Sequence, residues 1–351
     1  MNFRHLAYIL LFVAVLFTSA WTVMKSSVAT MKSDEQTLLS EVFWKEQIET
    51  HGAEEAYREL SRMSQKYDLS IMHRMAHFFG AALYHEEGIP GYSVCDDQFL
   101  YGCSHDFVGR AISEHGESII GELYNSCTAR TPYVYCQHGM GHGIISSFGY
   151  DLNSLQQSLD ACDKVASSKN HNPGGCHRGV FMEYNLRSIL GTPFKLREVS
   201  DGNWYEPCNK FSGSVRGSCI FYLPQWWWYT KTIDTNDNRQ IFVQMGTLCD
   251  GLPPRDHSAC YGGVGKIAVQ SSSYFKPDGP SVLCESTSPD TQKRFWCKSI
   301  AAFYLVVAGG FSEADASTMC AGVAGDSRAE CLLFASGNTQ LFEQWIDAIS
   351  R

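Results

Sequence analysis

No cysteine precedes position 90, yet 14 follow it, and no two of them are spaced C-x-x-C. That gap argues against zinc-ribbon, iron–sulfur and thioredoxin-like readings together. The missing C-x-x-C-H removes the usual c-type haem attachment signal. Also absent are G-x-S-x-G, G-x-x-x-x-G-K-[ST] and H-E-x-x-H. These mark a serine nucleophile, a phosphate cradle and a zinc-protease helix, respectively. Gly262-Gly263-Val264-Gly265-Lys266 lacks both the spacing and the following Ser or Thr of the phosphate cradle. Positive charge is scarce: 28 Lys and Arg face 37 Asp and Glu, for a net charge of −9. Residues 1–32 hold no acid, so the remainder sets 25 basic against 37 acidic residues, a net −12. A surface that acidic repels phosphate backbones, which makes nucleic acid a poor partner. The acid pairs Asp96-Asp97 and Glu86-Glu87 are adjacent, and adjacency alone does not set two carboxylates across a glycosidic bond.

What is present is apolar and aromatic. Of 351 residues 44% are hydrophobic, 13% aromatic and only 19% charged, enough to build a substantial core and to argue against disorder. Arg4 and His5 precede LAYILLFVAVLFTSAWTVM, residues 6–24. A helix of that length reaches roughly 29 Å, close to the thickness of a bilayer's hydrocarbon. The run predicts a signal-anchor, with a cleavable signal peptide as alternative because Thr18-Ser19-Ala20 supplies small residues. The corresponding expectation is a single-pass membrane protein, partnered with the membrane through residues 6–24, or a secreted one if the segment is cleaved. Arg4 favours an inside N-terminus, whereas Lys25 and Lys32 argue weakly the other way. In both cases the main domain faces an oxidising, extracytoplasmic compartment, where an even number of cysteines reads as disulfides.

Taken in order the cysteines form short couples: Cys95/Cys103, Cys127/Cys136, Cys162/Cys176, Cys208/Cys219, Cys249/Cys260, Cys284/Cys297 and Cys320/Cys331. Separations within a couple are 8 to 14 residues, and successive first cysteines lie 32, 35, 46, 41, 35 and 36 apart. A period near 36 accommodates two helices and their turns. The sequence therefore predicts an all-α fold, a curved or closed array of about seven to eight α-hairpins. Each disulfide would staple the end of one hairpin to the start of the next.

The segments between couples agree with that unit. After Cys136 a helix is expected to about Phe148, ended by Gly149, with Asn153 or Ser154 capping the next. After Cys103 a helix should run to Gly116, and ESIIGELYNSC should form its partner. Ser33 and Gln36 match a capping box opening a helix through Gln47, and helices are expected over 53–67 and 71–86. Pro224 argues against one uninterrupted helix in IFYLPQWWWYTK, and Trp226, Trp227 and Trp228 cannot all face one core. That run is either a packed corner or a surface for a protein or small-molecule partner. The expected organisation is 1–24 signal-anchor or signal peptide, 25–33 stalk, 34–193 histidine-rich repeats and 194–351 aromatic-rich repeats.

Histidine is nearly missing from the second half: nine of 12 fall between His73 and His177, and only His257 comes later. Two H-x-x-x-H pairs stand out, His73/His77 and His138/His142. On a helix each pair shares a face and could hold one ion through two imidazoles. Aligning Cys103 with Cys136 places His105 over His138, with Arg178 following Cys176 at the same offset. Candidate metal ligands are thus His73, His77, His105, His138 and His142. Asp106 and Glu183 are candidate bases, and Arg110 and Arg178 could steady an anionic substrate. Zinc is the first choice of ion, with copper or iron as alternatives. The expected function is a metal-dependent enzyme, a hydrolase being the form first considered. A non-catalytic binding scaffold and a metal storage or transport protein are the alternatives.

Overall fold

Helices of two kinds alternate along the chain, and burial separates them. The computed structural model describes residues 35–348 apart from 68, 97, 129–132, 188–196, 199–201, 232–236, 272–277 and 309–310. The leading helices are α1 (Glu41–His51), α2 (Ala53–Ser64) and α3 (Leu69–Glu87). Next come α4 (Gly102–His115), α5 (Ile120–Thr128), α6 (Tyr133–Phe148), α7 (Leu152–Ser168) and α8 (Gly174–Asn185). The second half holds α9 (Gly213–Lys231), α10 (Asn238–Asp250), α11 (His257–Ser271), α12 (Asp278–Thr287) and α13 (Thr291–Val307). The described chain ends with α14 (Glu313–Ser317), α15 (Asp326–Ala335) and α16 (Thr339–Ala348).

Inner helices α1, α3, α4, α6, α8, α9, α11, α13 and α15 pack side by side in that order. Helices such as α2, α5, α7, α10 and α12 form an outer row. In α7, Leu155, Leu159, Cys162 and Ala166 are buried while Gln156, Asp160 and Lys164 are exposed, the one-sided stripe of a surface helix. In α8 every residue from Gly174 to Phe181 is buried, because neighbours cover it on all sides. One hydrophobic cluster runs through the array, from Leu38 to Ile346.

The seven expected disulfides are all formed, with Cα–Cα distances of 5.5 to 5.8 Å. Four tie an outer helix to the next inner one, as the spacing predicts. Cys127 on α5 joins Cys136 on α6, and Cys162 on α7 joins Cys176 on α8. Cys249 on α10 joins Cys260 on α11, and Cys284 on α12 joins Cys297 on α13. The other three depart from that scheme, because their first cysteine lies in or directly after a short 3₁₀ turn and not on an outer α-helix. Cys95 follows the turn Ile89–Val94 and bonds to Cys103 on α4. Cys208 opens the turn Cys208–Lys210 and bonds to Cys219 on α9, while Cys320 ends the turn Thr318–Cys320 and bonds to Cys331 on α15. Pro90 and Pro207 favour a turn over a longer helix at the first two, since proline offers no amide donor. Closing loops this short constrains the unfolded chain by about 2–4 kcal/mol each.

Glycine sets the spacing of the inner row. A Cβ at Gly141 on α6 would lie 2.2 Å from the Cys176 carbonyl oxygen, and one at Gly265 on α11 would lie 2.1 Å from that of Cys297. The backbones approach too closely for any side chain there. The row curves enough for α16 to return to its inner side. There Trp345 abuts Gly262, Asn172 Nδ2 donates to Asp347 Oδ2 at 2.6 Å, and Arg178 pairs with Glu343.

Several other expectations are corrected. Among the described residues no helix is long and apolar enough to cross a membrane. The 6–24 segment and the 25–33 stalk lie outside the described residues. The expected membrane anchor, membrane partnership and single-pass placement gain no support from the described helices. The disulfides still point to an oxidising compartment. Ser33 also lies outside the described residues, and the helix expected through Gln47 is broken at 39–40 and restarts with Ser40 as its cap. Asp151, not Asn153 or Ser154, caps α7. Pro224 sits inside an unbroken α9, where it packs against Gly263. Trp226 and Trp227 are fully buried and donate to the carbonyls of Arg197 and Trp204, and half-buried Trp228 packs on Phe242. The tryptophan run is core, not a docking surface.

Candidate metal centre

Five imidazoles from three consecutive inner helices meet at one place, four of them buried and His73 half-buried. α3 supplies His73 and His77, one turn apart, while α4 supplies His105 and α6 supplies His138 and His142. Ligand atoms of His73, His77 and His105 lie within 4.8 Å of one another, and so do those of His105, His138 and His142. His105 belongs to both groups. Its ring stacks on His142 with centroids 3.9 Å apart. Both clusters are able to coordinate a metal ion.

Hydrogen bonds at the far side of four of the rings orient them. His73 Nδ1 donates to the Phe99 carbonyl at 2.6 Å, and His77 Nδ1 bonds to Asp106 Oδ2. A carbonyl or carboxylate only accepts, so Nδ1 is the donor, and in the neutral ring Nε2 then presents a bare lone pair. The two Nε2 atoms face each other at 3.0 Å. On α6 the arrangement recurs. His142 Nδ1 bonds to Glu183 Oε2 at 3.1 Å, His138 bonds to the backbone at Gly175, and their Nε2 atoms stand 3.3 Å apart. Tyr150 donates to the other Glu183 oxygen at 2.8 Å. Two lone pairs aimed at each other repel unless a cation lies between them. Nitrogens roughly 2.0–2.1 Å from one tetrahedral zinc are about 3.3 Å apart, which both pairs approach. The carboxylate behind a ligating imidazole is the usual outer support of such a site.

His105 adds an independent sign. Its Nδ1 lies 3.4 Å from His77 Nε2, while its Nε2 is buried without a hydrogen-bond partner. An unsatisfied buried polar atom costs about 1–3 kcal/mol, and a ligand would remove that cost. Burial, then the neighbouring His77, pulls the His73 pKa down to about 3. Burial and nearby imidazoles likewise hold His105, His138 and His142 well below the ordinary histidine range. These rings are neutral near pH 7, the form that binds a metal. Every cysteine is in a disulfide, so thiolate ligands are excluded and nitrogen and oxygen donors remain.

The other candidates occupy different places. Asp106 and Glu183 are fully buried behind His77 and His142. Arg178 is buried beside His138 in a cleft that also includes Tyr222, Lys266 and Glu343. Arg110 pairs with Glu41 at 3.4 Å and touches none of the five rings. His177 is buried apart from the five rings and bonds to Asp163 at 2.9 Å. Sequence reasoning missed Lys266. Its signal was the repeat register, because Lys266 follows Cys260 by the same six residues that separate His142 from Cys136. Met182 and Gln225 hold that offset after Cys176 and Cys219, and both contact the Lys266 amine. Comparison with family models, with curated proteins and with solved structures found no match.

Proposed function

We propose that this chain is a metal-dependent enzyme, with hydrolysis as its reaction class. The observation behind this reading is the pair of facing Nε2 couples, each oriented from behind and joined through His105. Zinc is the first ion to test, since three imidazoles leave a fourth position open, and copper and iron also suit imidazole. A bound ion would supply Lewis acidity and make a water molecule acidic enough to attack near neutral pH.

The chain's own groups complete the proposal. Asp106 and Glu183 act as positioning residues, since each is engaged with a ring nitrogen and holds that ring's tautomer. The cleft beside His138 brings a substrate to the edge of the cluster, where His138 lines its wall. Convergence of all five imidazoles favours a reaction centre over metal storage, which would scatter independent sites.

Reconstitution of the oxidised full-length chain with zinc, copper or iron tests the proposal through hydrolysis of nitrophenyl acetate and nitrophenyl phosphate. Turnover that requires the ion and disappears in His142→Ala is expected. A fully loaded chain that hydrolyses neither ester with any of the three ions would overturn the hydrolytic reading and favour the scaffold.

A further inference from the structure

We propose that the cleft beside His138 binds the charged head of a small anion, a carboxylate or a phosphate, between Lys266 and Arg178. This deepens the proposed function by naming its substrate class, and it rests on that reading only for what happens after binding.

Both cations are placed as an anion would require. Lys266 is 3% exposed and Arg178 is 4% exposed, yet both line the cleft. The Lys266 amine donates to the Gln225 side-chain oxygen Oε1 at 2.9 Å and meets the Met182 sulfur at 3.8 Å and the Tyr222 ring at 4.2 Å. No carboxylate pairs with it among the described residues. An ammonium buried without a counter-charge is strongly disfavoured. Burial accordingly lowers the Lys266 pKa to about 7. Arg178 spends one terminal nitrogen on Glu343, while the other, Nη1, is buried without a partner. The cleft thus sets two cations against one engaged carboxylate, with an open donor remaining on Arg178.

The remaining walls suit a small organic acid or its phosphate counterpart. Phe303, Val307 and Phe342 supply apolar surface. Tyr222 and Tyr304 share a hydrogen bond at the same place and carry hydroxyl groups whose ionisation burial suppresses. An anion held there would lie beside His138, which already senses the charge of both Arg178 and Lys266.

Calorimetric titration of the oxidised full-length chain with succinate and with inorganic phosphate tests the inference, in metal-free and zinc-loaded forms. Saturable binding of at least one probe is expected, and the stronger probe identifies the head group. Lys266→Met keeps the side-chain length and should weaken that binding at least about tenfold, as loss of a buried charge partner does. In the wild-type chain, the same probe should slow acetylation of Lys266 by acetic anhydride, read by mass spectrometry. Absence of saturable binding for both probes, unchanged affinity in Lys266→Met, or unprotected Lys266 would each overturn the proposal. Anion binding by a chain that takes up no metal would leave this inference standing and remove the hydrolytic one.

Discussion

The first inner helices and the later ones share a frame but project different chemistry from it. On α6, Gly141 meets the Cys176 carbonyl and His142 turns toward the other imidazoles. On α11, Gly265 meets the Cys297 carbonyl in the same way, and the adjacent Lys266 reaches into the cleft. The disulfide, the glycine contact and the six-residue offset are common to both. Only the projecting side chain differs. The repeat therefore acts as a neutral frame, and the order of side chains along its inner row sets histidines able to coordinate a metal ion toward one end and Arg178 and Lys266 along the middle.

Removing corresponding staples should separate frame from chemistry with the largest effect. Cys127→Ser/Cys136→Ser and Cys284→Ser/Cys297→Ser should each lower unfolding stability by about 2–4 kcal/mol in denaturant titrations. The first pair should also loosen metal binding, because Cys136 precedes His138 by two residues; equal metal affinity in both double variants would break the comparison. Gly141→Ala and Gly265→Ala come next, each costing about 1–3 kcal/mol by forcing neighbouring backbones apart. Only Gly141→Ala should also reduce metal affinity, since it lies between His138 and His142. Asp106→Asn and Glu183→Gln should weaken the metal by roughly 10- to 100-fold while leaving the helical content intact. Arg110→Ala should have the smallest effect, below about 1 kcal/mol and with no change in metal, because its partner is a part-exposed Glu41.

Much of the frame was legible because cysteine spacing reports local chain reversal directly. Each couple spans only 8 to 14 residues, so pairing nearest neighbours required no knowledge of the distant fold. Spacing does not report what carries the first cysteine. Cys103, Cys219 and Cys331 are therefore bonded to turns where a uniform hairpin unit predicts outer helices. The histidines were legible as two helical pairs plus His105 in register. Their convergence was not, because it depends on how sharply the inner row curves, and no local pattern encodes that angle. Gly139, Gly141 and Gly143 have low helix propensity, and the close interhelical packing that they permit outweighs it. Pro224 misled for a related reason: burial of α9 on both sides holds the helix despite one lost amide donor. Trp226 and Trp227 found carbonyl partners from a distant stretch of chain, which a run of three tryptophans does not announce. Arg178 and Lys266 line one cleft that α16 also walls through Phe342 and Glu343, a long-range closure that no local pattern announces.

Whether the histidine cluster holds metal is the most direct test. Zinc content of the oxidised full-length chain after reconstitution and exhaustive dialysis can be compared in wild type, His142→Ala and His257→Ala. His257 lies in the later units and bonds to the Leu252 carbonyl at 2.9 Å, so it serves as the control. Wild type and His257→Ala should retain the same zinc, and His142→Ala should lose at least one ion. Zinc retained by His142→Ala at the wild-type level, or a folded wild-type chain that retains none, would contradict the account.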